Sequence, residues 1–124
     1  MESVVALDFE TSDKYADSAC ALGMYRVENG RVVDSWYSLI RPPRSTVYFT
    51  EIHGLTWDML KNQRSFAELW PEISSFLQGA RLLVAHNASF DRRVLFGCCR
   101  AFGLEAPNLP FACTVKGSRK GLHL

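Results

Sequence analysis

The sequence predicts an α/β domain built on one mixed sheet, antiparallel on its leading side and parallel where helices cross over. Three features carry that expectation. Strand-like apolar segments follow one another through residue 40, and two of them are joined by Asn29-Gly30, the pair best suited to a type I′ hairpin turn. After residue 65, segments of helical periodicity alternate with short apolar runs. The order along the chain is therefore β-β-β-α-β-α-β.

Val4 to Phe9 is a near-continuous apolar stretch, which predicts a central strand covered on both faces. Cys20 to Val27 and Arg31 to Ile40 are the two hairpin strands. Pro42-Pro43 ends the second, because proline donates no ladder hydrogen bond and restrains the residue before it. A loop is expected from there to about Gly54. Ser65-Phe66-Ala67-Glu68 has the form of a capping box, and Phe66, Leu69, Trp70, Ile73, Phe76 and Leu77 recur at helical spacing until Gly79. Pro71 is awkward there: it removes a backbone bond, so the helix is expected to kink or to become regular only after the box. Arg81 to Ala85 reads as a short buried strand. From Ser89, the residues Phe90, Val94, Leu95, Cys98 and Phe102 mark a second amphipathic helix, stopped by Gly103. Phe111 to Thr114 begins one more strand.

At 124 residues and 48% hydrophobic composition, the chain is expected to form one compact domain over 1–124 with a core of its own. Fourteen Lys and Arg against thirteen Asp and Glu leave a net charge of +1, so a phosphate partner would have to be held locally. Met1-Glu2-Ser3 carries no basic leader, and no apolar run approaches the ~18 residues of a membrane span. No membrane partner is expected, and the cytoplasm is the default compartment. Cys20, Cys98, Cys99 and Cys113 lack C-x-x-C spacing and read as reduced, mostly buried thiols.

Chemistry is carried by two acidic motifs. Asp8-Phe9-Glu10-Thr11 follows Val4-Val5-Ala6-Leu7, and Asn87-Ala88-Ser89-Phe90-Asp91 follows Leu82-Leu83-Val84-Ala85. Side chains alternate along a strand, so Asp8 and Glu10 point the same way while Leu7 and Phe9 face the other layer. Asn87 is a favoured helix N-cap type, which places Asp91 in a first helical turn at the end of a neighbouring strand. Taken singly, each motif reads equally as structure: Asp-x-Glu is common, and an Asp in a first turn complements the helix dipole. Together they follow two strands ending on one sheet edge, where open α/β folds place ligands. Three such carboxylates offer the hard oxygen donors that Mg²⁺ or Mn²⁺ takes beside substrate phosphate. Two such ions about 4 Å apart suit phosphodiester hydrolysis, which also needs a group, usually histidine, to accept a water proton.

With these residues in hand, the sequence resembles the DEDD (DEDDh-type) 3′–5′ exonuclease superfamily of ribonuclease H-like fold, which includes the proofreading epsilon subunit of bacterial DNA polymerase III and ribonuclease T. The resemblance rests on Asp8-Phe9-Glu10-Thr11, Ile52-His53-Gly54-Leu55-Thr56, His86-Asn87-Ala88-Ser89-Phe90-Asp91 and Cys113-Thr114, in that order along the chain. It implies Asp8, Glu10 and Asp91 as catalytic metal ligands for Mg²⁺ or Mn²⁺, with two ions in a complete site. It implies Phe9, Thr11 and His53 as contacts to the 3′-terminal nucleotide of single-stranded DNA or RNA, and a DNA polymerase as a possible protein partner. Bland alternatives stand beside these. His53 would otherwise satisfy a backbone group, Phe9 would pack in the core, and His86 would pack or hydrogen-bond. Arg92, Arg93, Arg100, Lys116, Arg119 and Lys120 would either track a phosphate backbone or form an ordinary solvated face.

The chain departs from the family pattern after Asp91. No further aspartate follows, and His123 has no acid five residues beyond it, so the third motif, histidine then aspartate, has no counterpart. The expectation is a domain truncated before its C-terminal helices, with impaired catalysis. A non-catalytic nucleic-acid-binding or polymerase-accessory module of the same fold is the alternative. Another phosphoesterase is a second, while a Gly-rich phosphate loop, a G-x-S-x-G elbow and zinc-type spacing are all missing from the sequence.

Overall fold

A computed structural model describes residues 2–114. Its sheet has five strands: β1 (Ser3–Thr11), β2 (Ala19–Glu28), β3 (Arg31–Leu39), β4 (Ala80–Ala85) and β5 (Phe111–Cys113). Their order across the sheet is β3-β2-β1-β4-β5, with β1 antiparallel to β2 and parallel to β4. The mixed sheet expected from sequence is therefore the one observed. Asn29 (φ 53°) and Gly30 (φ 74°) both take the positive φ that a type I′ turn demands, and they close the β2–β3 hairpin.

The segment between β3 and the first long helix is not plain loop. It contains two four-residue helices, α1 (Thr50–His53) and α2 (Trp57–Leu60). Gly54 caps α1 in the left-handed conformation, and Leu55 and Leu60 bury against Cys20 and Ala21 of β2. The long helices are α3 (Phe66–Leu77) and α4 (Ala88–Phe102). Both arms of the Ser65/Glu68 capping box form, so α3 starts where the box implies, contrary to the later start expected from Pro71. Pro71 lies on the exposed side of the helix interior. Arg26 of β2 donates to the carbonyls of Phe76 and Gln78, supplying partners at the helix end, where intrahelical donors run out.

Both long helices cover one face of the sheet. Val5, Leu7 and Phe9 of β1, with Leu22 and Met24 of β2, join Phe66, Leu69, Ile73 and Leu77 of α3 and Val94, Leu95, Cys98 and Cys99 of α4 in a single core. Burial along β1 alternates, with Val4, Ala6 and Glu10 half-buried and Asp8 exposed. The expectation of a strand covered on both faces is thus corrected. Apolar Val4 and Ala6 make the run look continuous, yet the acids open the second face to solvent. The cysteines are free thiols, three of them buried. Lys116, Arg119, Lys120 and His123 lie outside the described residues.

Candidate active site

Asp8 and Glu10 leave β1 on its open face, two residues apart, as the pleat requires. Across the β1–β2 ladder Asp8 faces Gly23, which carries no side chain, and Glu10 faces Ala21, which is itself covered by Leu55 and Leu60. The β1–β2 register shifts between Glu10 and Thr11, at the end of the strand. Asp91 comes from the first turn of α4 and is only 2% exposed. Asn87 takes the N-cap position without a side-chain cap bond. The Asp91 Oδ1 atom accepts the backbone N–H of Phe9 at 2.9 Å, which docks this carboxylate against the segment of β1 between the other two acids.

Electrostatics link the three groups. Burial raises the pKa of Asp91 to about 6, the Phe9 N–H opposes the rise, and the charges of Asp8 and Glu10 add to it. Glu10 is also raised, first by burial and then by Asp8, with His53 pulling the other way. No Lys or Arg side chain pairs with any of the three among the described residues. This is an acid cluster with uncompensated negative charge. No group of three His, Cys, Asp or Glu side chains is preassembled as a metal cage among the described residues. The donor chemistry nevertheless fits a hard divalent cation, which relieves mutual repulsion and takes part of its coordination from water and phosphate oxygens.

Asp8 and Glu10 line two depressions, whereas Asp91, almost fully buried, lines neither. One, about 340 Å³, is lined by Asp8, Phe9, Glu10, Thr11, Phe49, Ile52, His53 and Phe90. The other, about 420 Å³, crosses the open sheet face past Gly23, Tyr25 and Tyr37. Phe9 lines the first depression with one edge while its ring packs 6.5 Å from that of Phe66, so core packing accounts for most of it. Thr11 is almost buried, and its carbonyl accepts from His53 Nε2 at 3.0 Å. His53 Nδ1 in turn accepts the Leu55 N–H at 3.0 Å, which requires the proton on Nε2. Both imidazole nitrogens are therefore committed to backbone. His53 walls the crevice as a brace, and only its ring face and edge are left for a ligand. His86 is exposed, and its carbonyl accepts from the Cys113 thiol. Sequence reasoning missed Phe49, since one aromatic in a loop carries no periodic signal.

Residues 5–123 match the family model for exonucleases of the ribonuclease T type. The chain belongs to this exonuclease family. It is 42% identical over 94 residues to the PolC-type DNA polymerase III of Thermotoga petrophila, covering 73% of this chain and 7% of that protein. The chain thus spans a small fraction of the polymerases it matches. Exonuclease X, solved in complex with 5′-overhanging duplex DNA, superposes with a TM-score of 0.73 at 27% identity, covering 94% of this chain and 63% of that one. The zinc-bound complex of E. coli exonuclease I with single-stranded DNA shares the fold, with a TM-score of 0.81 at 13% identity over 96% of this chain and 29% of that one. Among the described residues of this exonuclease-family chain, no helix is long and apolar enough to cross a membrane.

Proposed function

We propose that this chain is a 3′–5′ exonuclease-type domain that binds the 3′ end of single-stranded nucleic acid and turns it over slowly with Mg²⁺ or Mn²⁺. The observation that carries the reading is the Phe9–Asp91 hydrogen bond, which sets a carboxylate from α4 beside Asp8 and Glu10. Asp8, Glu10 and Asp91 would hold the cation, which when bound polarises a phosphodiester and lowers the pKa of water. The chain's own work is positional. Gly23, opposite Asp8, keeps the sheet face beside that acid clear of a side chain, and Phe49, Ile52 and Phe90 offer apolar contact to a terminal nucleotide. The brace through His53 holds Thr11 at the crevice wall.

The proposed weakness is proton transfer. His53 has both imidazole nitrogens engaged by backbone, through the Thr11 carbonyl and the Leu55 N–H, so it is not free to take the proton of an attacking water. Loss of a general base typically removes about 10²–10⁴ in rate. That same deficit favours one second reading, a nucleic-acid-binding module retaining the fold in a polymerase context. Incubation of the 124-residue chain with a 5′-labelled single strand and Mn²⁺ separates the two. Slow one-nucleotide laddering from the 3′ end, abolished by Asp8→Ala and by Asp91→Ala, is the expected outcome. Binding without laddering favours the module, and a rate equal to that of a relative with the full motif set contradicts the impairment.

A further inference from the structure

Of the cations on α4, only some share a surface with the loop that follows the acid motif of β1. Phe90, Arg93, Gly97 and Arg100 fall at i, i+3, i+7 and i+10, one stripe along the helix. At its first end Phe90 lines the crevice beside the acids. At the other end Gly97 and Arg100 line a separate groove of about 560 Å³, whose opposite wall is Tyr15, Ala16, Asp17 and Arg44. Gly97 makes this contact possible, because a Cβ there would come within 2.9 Å of the carbonyl carbon and oxygen of Ala16. Arg93 ties the same loop to the helix by donating to the Lys14 carbonyl at 2.8 Å. Tyr15 is 55% exposed and is flanked by two cations, Lys14 at 5.5 Å and Arg44 at 5.0 Å from its ring centre.

Charge decides what such a surface attracts. Arg44 pairs with Asp13 and Asp17, while Lys14, Arg93 and Arg100 make no ion pair among the described residues, so the surface is net positive. An exposed ring between cations, leading away from an acidic crevice, is the combination that single-stranded nucleic acid uses, stacking a base while phosphates lie on Lys and Arg. Arg92 belongs to a different side of the helix, where its guanidinium lies 4.5 Å from the ring centre of Phe96. One helix therefore carries both the candidate contacts and an internal control.

We propose that Lys14, Tyr15, Arg93 and Arg100 form a track for the part of a single strand that lies upstream of its 3′ end, continuing the acidic crevice along α4. The inference rests on the exonuclease-type reading for the direction of the strand, and on the α4 stripe for the track itself. From Phe90 to Arg100 the helix rises about 15 Å, enough to lie beside several nucleotides of a single strand.

The test is competition, in EDTA so that nothing is hydrolysed, between a fluorescent oligothymidylate and unlabelled thymidine 5′-monophosphate or oligothymidylates of increasing length, read by anisotropy. Affinity should climb over the first several added nucleotides and then reach a plateau. In Arg93→Gln/Arg100→Gln the climb should disappear, long-oligomer affinity should fall about tenfold, and the salt dependence should flatten by about 1.4 in log–log slope. Binding of the mononucleotide should not change. Arg100→Gln alone, whose side chain makes no hydrogen bond or ion pair to the loop among the described residues, should show about half the effect on slope, which guards against a misfolded double variant. Tyr15→Ala should cost about tenfold. The track is overturned if the double variant keeps the full length dependence, if Arg92→Gln loses as much, or if affinity is flat with length in the parent chain. Length-dependent binding that survives in a chain with no cleavage activity sinks the nuclease reading and leaves the track standing.

Discussion

Asp91 carries the strongest consequence at the level of single residues. Its folded form keeps a proton up to about pH 6, while the unfolded chain releases it near an ordinary aspartate value of 3.8. The folded state thus binds more protons inside that window, and stability falls as pH rises through it. Asp91→Asn keeps an oxygen acceptor for the Phe9 N–H and removes the charge. It should raise the stability of the metal-free chain at pH 7 by about 1–2 kcal/mol after solvent screening, with little gain at pH 4, measured by urea unfolding. Failure of the gain to shrink with acid would contradict the assigned pKa. His53 points the other way: His53→Ala leaves the Leu55 N–H without its ring acceptor and should cost about 1–3 kcal/mol in the same experiment. The shared orientation of Asp8 and Glu10 was legible from period-2 alternation, while a role for the pair could be read only together with the Asn87–Asp91 motif and the family resemblance. The commitment of His53 was not, because its partners, Thr11 and Leu55, come together only through the folding of a loop over a strand end.

Elements differ in how openly the sequence declares them. The hairpin is announced by Asn29-Gly30 and α3 by Ser65 and Glu68, since each signal is a local demand on φ or on an orphan N–H. Ser65→Ala should cost about 1 kcal/mol, seen as a lower urea midpoint with an unchanged slope. Pro71 misled because its local penalty ignores tertiary support: Phe66, Leu69, Ile73 and Leu77 anchor the helix on both sides of it in the core. The helices α1 and α2 stayed hidden because four residues show no periodicity, and they persist through Leu55 and Leu60 packing on β2. Gly97 is the most consequential silent position. Gly97→Ala should destabilise the chain by about 1–3 kcal/mol despite the better helix propensity of alanine, since the helix and the β1–β2 loop must separate. A stabilised Gly97→Ala variant would show that the contact yields cheaply.

Across the whole molecule, one packed face and one open face divide structure from chemistry. The helices α3 and α4 bury the odd residues of β1, and that burial holds Asp8 and Glu10 outward at the end of the central strand. The topology then brings β4 parallel to β1, so α4 begins where the acids emerge and Asp91 reaches back to Phe9. This convergence was foreseeable from two strands ending on one sheet edge. The openness of the second face was not, because Val4 and Ala6 resemble core. Under the proposed function, Asp8, Glu10 and Asp91 serve one divalent cation site. Titration of the chain with Mn²⁺, followed by the loss of its free-ion paramagnetic resonance signal, tests it most directly. Binding should be saturable and weaken at least about tenfold in Asp8→Ala, in Glu10→Ala and in Asp91→Ala, while the control Arg92→Gln matches the parent chain. Equal Mn²⁺ affinity in the parent and the Asp91→Ala variant would contradict it.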